Sequence, residues 1–251
     1  MIHLDSHVHF YGFYDLDRLC DSLLRNAGAE AAPAMFLAER EGQGVLAEWR
    51  EAAQSGKPVA GASRWRPISV PDDTSVVLGD GKKEIYVFAA RQIAAKERIE
   101  AIGLFTSAPI PDGLPLAVTI SRIRDAGGLP MLAWGVGKWL FGRGRVVRGI
   151  IGSSDPDSLF IGDSALRPRF WGTPFAMRAA RRRGMRILCG SDPLPRQGDE
   201  SRAGSYASLI RGNLDPESPS ECLRDLLLYP PKSLGAAGRR LGLLPFLARM
   251  K

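Results

Sequence analysis

Ile2-His3-Leu4-Asp5-Ser6-His7-Val8-His9-Phe10 contains all three histidines of the chain. Apolar and polar residues alternate along it, the period of a β-strand whose two faces see different surroundings. Read with that period, His3, Asp5, His7 and His9 share one face, and Ile2, Leu4, Val8 and Phe10 share the other. Polar side chains gathered on a buried face need partners, because an unpaired one costs on the order of a few kcal/mol. A bound cation satisfies them, and neutral imidazoles beside carboxylates suit zinc, manganese or iron. His3 stands about 13 Å below His7 at about 3.3 Å per residue, so it is read as a structural residue at the other end of the strand.

Outward from this strand, helical and strand periods alternate. Asp15 to Ala27 has leucines at helical spacing, with Asp15 as its cap and Gly28 as its stop. Ala34 to Leu37 reads as a buried strand and Val45 to Gln54 as a helix. Val76 to Leu78 and Ile85 to Phe88 flank a Gly79-Asp80-Gly81 turn, a hairpin pattern. Ile99 to Phe105, Leu129 to Trp134, Leu159 to Ile161 and Met185 to Cys189 read as strands. Helices are expected at Pro115 to Ala126, 143–151 and Pro174 to Arg183. The C-terminal third reads as helical with proline breaks, and Leu234 to Met250 as a basic amphipathic helix docked on the body. Such alternation predicts an α/β fold with a parallel sheet, here a TIM-like (β/α)7-8 barrel in one domain spanning 1–251. The β-hairpin, at about 65–95, is expected as an insertion, and about 215–251 as a C-terminal helical segment.

Composition bounds the function. Hydrophobic residues are 45% of 251, enough for a sizeable core. No apolar run reaches the roughly 18 residues of a membrane span. No basic-then-apolar leader opens the sequence, and Cys20, Cys189 and Cys222 are scattered, so a reducing, cytoplasmic setting is expected. The net charge of +7, mostly arginine, suits a small anionic or phosphorylated substrate. No aromatic-interleaved basic motif accompanies it, so neither nucleic acid nor a membrane is expected as a partner. A homo-oligomer is left open.

Asp5-Ser6-His7-Val8-His9-Phe10 resembles the opening motif of the PHP (polymerase and histidinol phosphatase) family, and it is similar to that of the amidohydrolases. Arg98-Ile99-Glu100-Ala101-Ile102-Gly103 resembles the PHP strand that bears a metal-binding glutamate. Ile187-Leu188-Cys189-Gly190-Ser191-Asp192-Pro193 resembles a late strand that ends in a metal-binding aspartate. The resemblance implies a barrel of PHP type and a metal-dependent hydrolase acting on a phosphoester through a metal-activated water. It implies His7, His9, Glu100 and Asp192 as ligands of a divalent ion (zinc, manganese or iron). Asp192 or Glu100 would also serve as the catalytic base.

The pattern also breaks. Where the family carries His-Pro after a double glycine, this chain reads Ala133-Trp134-Gly135, and no histidine follows His9. The site is therefore expected to hold one ion or none. The alternative reading is a degenerate PHP-like barrel that serves as a binding or interaction module. Lys138, Arg167 and Arg202 are candidate substrate contacts, Lys138 also a surface lysine near a glycine turn. Asp163 is a candidate ligand, a partner of Arg167 or a helix cap. Cys189 is read as core, and Tyr11, Tyr14, Trp134 and Trp139 as pocket walls or packing.

Overall fold

The computed structural model describes residues 1–59, 61–230 and 234–243. In chain order it contains β1 (Ile2–Val8), α1 (Leu16–Ala27), β2 (Ala32–Glu39), α2 (Val45–Ser55), β3 (Arg66–Ser69), β4 (Ser75–Gly79), β5 (Glu84–Ala94) and β6 (Glu100–Leu104). There follow α3 (Leu116–Asp125), β7 (Leu129–Ala133), α4 (Phe141–Ser153), β8 (Phe160–Ser164), α5 (Phe175–Arg182), β9 (Ile187–Gly190), β10 (Tyr206–Ile210), α6 (Pro219–Leu228) and β11 (Gly235–Gly238).

The strands form one mixed sheet in the order β11-β10-β1-β2-β5-β6-β7-β8-β9. Pairing is parallel from β1 through β2 to β5 and again from β7 through β8 to β9. It is antiparallel where β6 meets β5 and β7, and where β10 meets β1. The expectation of an all-parallel (β/α) sheet is corrected here, and the connections explain why. Only residues 95–99 separate β5 from β6, too few for a parallel crossover.

The sheet rolls until its ends meet. The Asp192 amide donates to the His7 carbonyl at 2.9 Å, and the Cys189 amide to Ser208 Oγ at 2.8 Å, so β9 lies against β1 and β10. One apolar cluster collects alternate residues from nearly every strand: Leu4, Phe36, Phe88, Ile102, Met131, Phe160 and Leu188 among them. Only the interior of a rolled sheet brings these together. Phe36, Phe88 and Phe105 pack there in tilted and edge-to-face contacts with ring centroids 4.8–5.8 Å apart. Burial of each ring contributes roughly 1.5–3 kcal/mol. Leu223 and Leu227 of α6 join the same cluster and close the end opposite the histidines. A second cluster packs α1 and α2 on the outer face of β1, β2 and β5. A third packs α3, α4 and α5 over the outer face of β6 to β9. The result is a nearly closed, barrel-like sheet with helices outside, compatible with a TIM-like barrel.

Local chemistry sets the element ends as read from the sequence in several places. Asp15 caps α1 by accepting the Arg18 amide at 2.9 Å, and Gly28 ends it at φ +75°. Two other expectations are corrected. The second arm of the expected hairpin is β5, a strand inside the main sheet with β2 and β6 as neighbours, and only β3 and β4 lie off that path. The C-terminal third is not helical throughout: beside α5 and α6 it contributes β10 and β11, which are strands of the sheet. Residues 244–251, the end of the expected amphipathic run, lie outside the described residues. No described helix is long and apolar enough to cross a membrane.

Candidate metal centre

The strict alternation expected of β1 does not hold. Asp5 pairs with Met35 and Val8 with Leu37, so β1 spends three steps where β2 spends two. This bulge inverts the faces beyond it. Ile2 and Leu4 point into the barrel, while Val8 and Phe10 pack on the outer layer with α1 and α2. His3 and Asp5 consequently face outward, and only His7 and His9 face the interior. The shared face of His3, Asp5, His7 and His9 is thus corrected.

Asp5 holds the bulge. Its carboxylate accepts the backbone amides of His7 at 3.2 Å, Ser191 at 2.9 Å and Gly204 at 2.7 Å, together with the Ser191 hydroxyl. Full burial raises its pKa to about 6, against these four donors, which favour the charged form. Asp5 therefore ties β1 to the segment after β9 at the point where the histidines turn inward.

The His7 and His9 Nε2 atoms lie 3.0 Å apart. Asp192 Oδ1 is 3.8 Å from the first and 3.9 Å from the second. Ligand atoms of His7, His9 and Asp192 all fall within 4.8 Å of one another, the one such group of three among the described residues. Two nitrogens about 2.05 Å from a tetrahedral ion stand about 3.3 Å apart, so the spacing suits one ion. The His9 Nδ1 lies 2.6 Å from the Ala38 carbonyl oxygen. A carbonyl only accepts, so Nδ1 carries the proton and the Nε2 lone pair faces the cluster. Burial, then the charge of His7, lowers the His9 pKa to about 4, which keeps the ring neutral at physiological pH. Asp192 adopts φ +53°, a left-handed conformation that aspartate tolerates better than most residues. Its Oδ2 accepts the Ser164 hydroxyl at 3.0 Å.

The cluster opens into a cavity of about 330 Å³ lined by Tyr11, Arg40, Gln92, Glu100, Lys138 and the loop from Asp192 to Pro195, among others. Gln92 Oε1 lies 2.8 Å from His7 Nε2. Tyr11 has its hydroxyl pKa pushed up to about 12 by burial and by the nearby Asp192, so it stays a phenol. Small interior residues make the room: Ala38, Ala90 and Ala133 line the upper barrel, and Gly162 and Gly190 complete the ring.

Glu100 reaches this cavity because β6 runs antiparallel. It opposes Ala133 at the top of β7, so the first residue of β6 sits at the mouth. It is not brought into the three-residue cluster. Its Oε1 is held instead by Lys138 Nζ, in an ion pair that is mostly screened from solvent. Glu100 thus lines the same cavity as His9 and Asp192 but stands apart from the three-residue cluster.

Arg167 and Arg202 do not line this cavity. Phe160, Gly162 and Ser164 face the interior, so Asp163 faces outward. There it accepts Arg167 Nε at 2.6 Å and Nη2 at 2.5 Å, and the Tyr206 hydroxyl at 2.8 Å. Arg167 Nη1 also donates to the Trp171 and Gly172 carbonyls, and the residue is 3% exposed. Arg202 ends the short 3-10 turn Asp199–Arg202, outside the cavity lining. Trp134 packs in the outer helical layer, its ring centroid 6.0 Å from that of Trp171. Gln92, Arg40 and Ser164 were not anticipated. The signal for Gln92 was present as the polar pair Arg91-Gln92 inside an otherwise apolar run.

Fold and site define a mixed α/β barrel-like protein with a histidine–aspartate cluster at the mouth of its sheet. No family model matches the sequence, and no curated protein is significantly similar to it. Among solved structures, PsfC from Pseudomonas syringae is similar in fold, with a TM-score of 0.58 and 12% identity over 99% of this chain and 95% of that one. The lesion-specific endonuclease PfuEndoQ from Pyrococcus furiosus is similar with a TM-score of 0.50 and 10% identity. That match covers 93% of this chain but only 57% of the endonuclease. Endonuclease Q in complex with a 27-mer duplex bearing an abasic lesion at its active site matches with a TM-score of 0.49 and 10% identity, over 90% of this chain and 56% of that one. The expectation that sets nucleic acid aside as a partner does not stand, because a similar fold occurs in a lesion-specific endonuclease. That expectation rested on the lack of a linear basic and aromatic motif, whereas a barrel mouth draws its loops from distant parts of the sequence.

Proposed function

We propose that this chain is a metal-dependent hydrolase of PHP-like type that cleaves a phosphoester bond. The observation that carries this reading is the convergence of His7 Nε2, His9 Nε2 and Asp192 Oδ1 on one point at the cavity floor. His7, His9 and Asp192 would hold the ion, with Gln92 offering a neutral oxygen beside them. A divalent ion bound there supplies Lewis acidity and lowers the pKa of water toward about 7. Ser164 orients the Asp192 carboxylate, and the Ala38 carbonyl fixes the His9 tautomer. Arg40 and Lys138 line the same cavity and would hold the phosphoester oxygens. The similarity in fold to a lesion-specific endonuclease makes nucleic-acid phosphodiesters part of the substrate panel.

The reading of a barrel that has lost its metal draws on one observation, the capture of Glu100 by Lys138. Elemental analysis of the wild type and the His7→Ala/His9→Ala variant decides between them. About one equivalent of zinc, manganese or iron in the wild type, lost in the variant, is expected. Turnover is then measured on phosphomonoesters and on intact and lesion-bearing duplexes. No metal in either protein after incubation with divalent ions sinks the hydrolase reading.

A further inference from the structure

We infer that the Lys138 ammonium stands in for a second cation, so that this centre is built to hold one divalent ion alone. The inference rests on the metal reading proposed above. Two carboxylates, Glu100 and Asp192, line one small cavity. Asp192 faces the imidazoles, while Glu100 is neutralised by Lys138 Nζ. The pair is partly desolvated, with side-chain exposures of 16% for Glu100 and 33% for Lys138.

The loop after β7 is shaped to deliver that ammonium. The Lys138 amide donates to the Gly135 carbonyl at 3.0 Å, and Gly137 adopts φ +71°, closing a tight turn. The Lys138 stem then folds back over Gly135. A Cβ at Gly135 would lie 2.7 Å from Lys138 Cδ, so a side chain there would displace the stem. An ammonium carries one fixed charge and three donors and does not exchange with solvent ions. It occupies the Glu100 carboxylate and so makes it unavailable as a ligand. Together with one ion on His7, His9 and Asp192 it forms a clamp of two positive groups for the oxygens of a phosphoester, the arrangement that two-metal sites reach with a second ion.

Metal binding distinguishes this from a decorative ion pair. The full-length wild type, Lys138→Met, Lys138→Arg, Glu100→Gln and Lys138→Met/Glu100→Gln are stripped of metal and titrated calorimetrically with manganese, with folding checked by circular dichroism. One equivalent is expected for the wild type and for Lys138→Arg. Lys138→Met frees Glu100 and takes a second equivalent, which the double variant loses. Glu100→Gln alone keeps the single equivalent with its Kd within about twofold, whereas loss of a ligand or its supporting shell weakens binding about 10- to 100-fold. A Lys138→Met protein that still binds one equivalent overturns the inference and leaves the metal reading standing. So does a tenfold loss of affinity in Glu100→Gln, a test that survives should Lys138→Met fail to fold. A wild type that binds no manganese overturns both.

Discussion

Gly190 lies directly against His7: a Cβ built on Gly190 would come within 2.6 Å of the His7 Cβ and 2.8 Å of its amide nitrogen. The barrel closes at this contact, and only a residue without a side chain lets β9 approach the bulged strand. Gly190→Ala is expected to destabilise the protein by about 1–3 kcal/mol, the usual cost of overpacking, and to weaken metal binding by displacing His7. Urea unfolding and manganese titration check both effects. A native midpoint with native affinity would show that β1 and β9 are not so closely fitted.

Asp5 does no chemistry at the site, yet the site depends on it. Asp5→Ala leaves the amides of His7, Ser191 and Gly204 without their buried acceptor. Each orphaned amide costs about 1–3 kcal/mol, so a total loss on the order of 3 kcal/mol or more is expected. Chemical denaturation measures it. A loss below about 1 kcal/mol would mean that the bulge is held by the rest of the sheet.

Gln92 is expected to matter for the ion and little for folding. Its amide oxygen lies 2.8 Å from His7 Nε2. Gln92→Leu preserves the volume and removes the oxygen. Metal affinity should fall about 10- to 100-fold while thermal unfolding changes little. Equal affinity in the two proteins would exclude Gln92 from the centre.

Arg167 should behave as a structural residue. Removing it strands a buried carboxylate on Asp163, which costs about 3–5 kcal/mol. Arg167→Met is expected to unfold at lower denaturant while its KM, measured where it is folded, stays at the wild-type value. A raised KM in a protein of native stability would return Arg167 to the substrate site.

Much of the design was readable in one dimension. The helical spacing of Leu16, Leu19 and Leu23, the Asp15 cap and the Gly28 stop are local effects, and they appear where the sequence places them. The pairing of His7 and His9 on one face is likewise local, two residues apart on a strand.

What the tertiary structure decided are the relations between strands. The bulge between Asp5 and Val8 turns His3 and Asp5 away from His7 and His9, and it depends on donors from Ser191 and Gly204, far along the chain. The antiparallel course of β6 carries Glu100 to the mouth of the barrel, where Lys138 captures it. The outward turn of Asp163 takes Arg167 from the cavity into a buried pair. Composition and periodicity settle which residues are polar, buried or helical, because those preferences act within a few residues. Register, strand direction and barrel closure settle which polar groups meet, because those contacts form between segments that the sequence does not order in space.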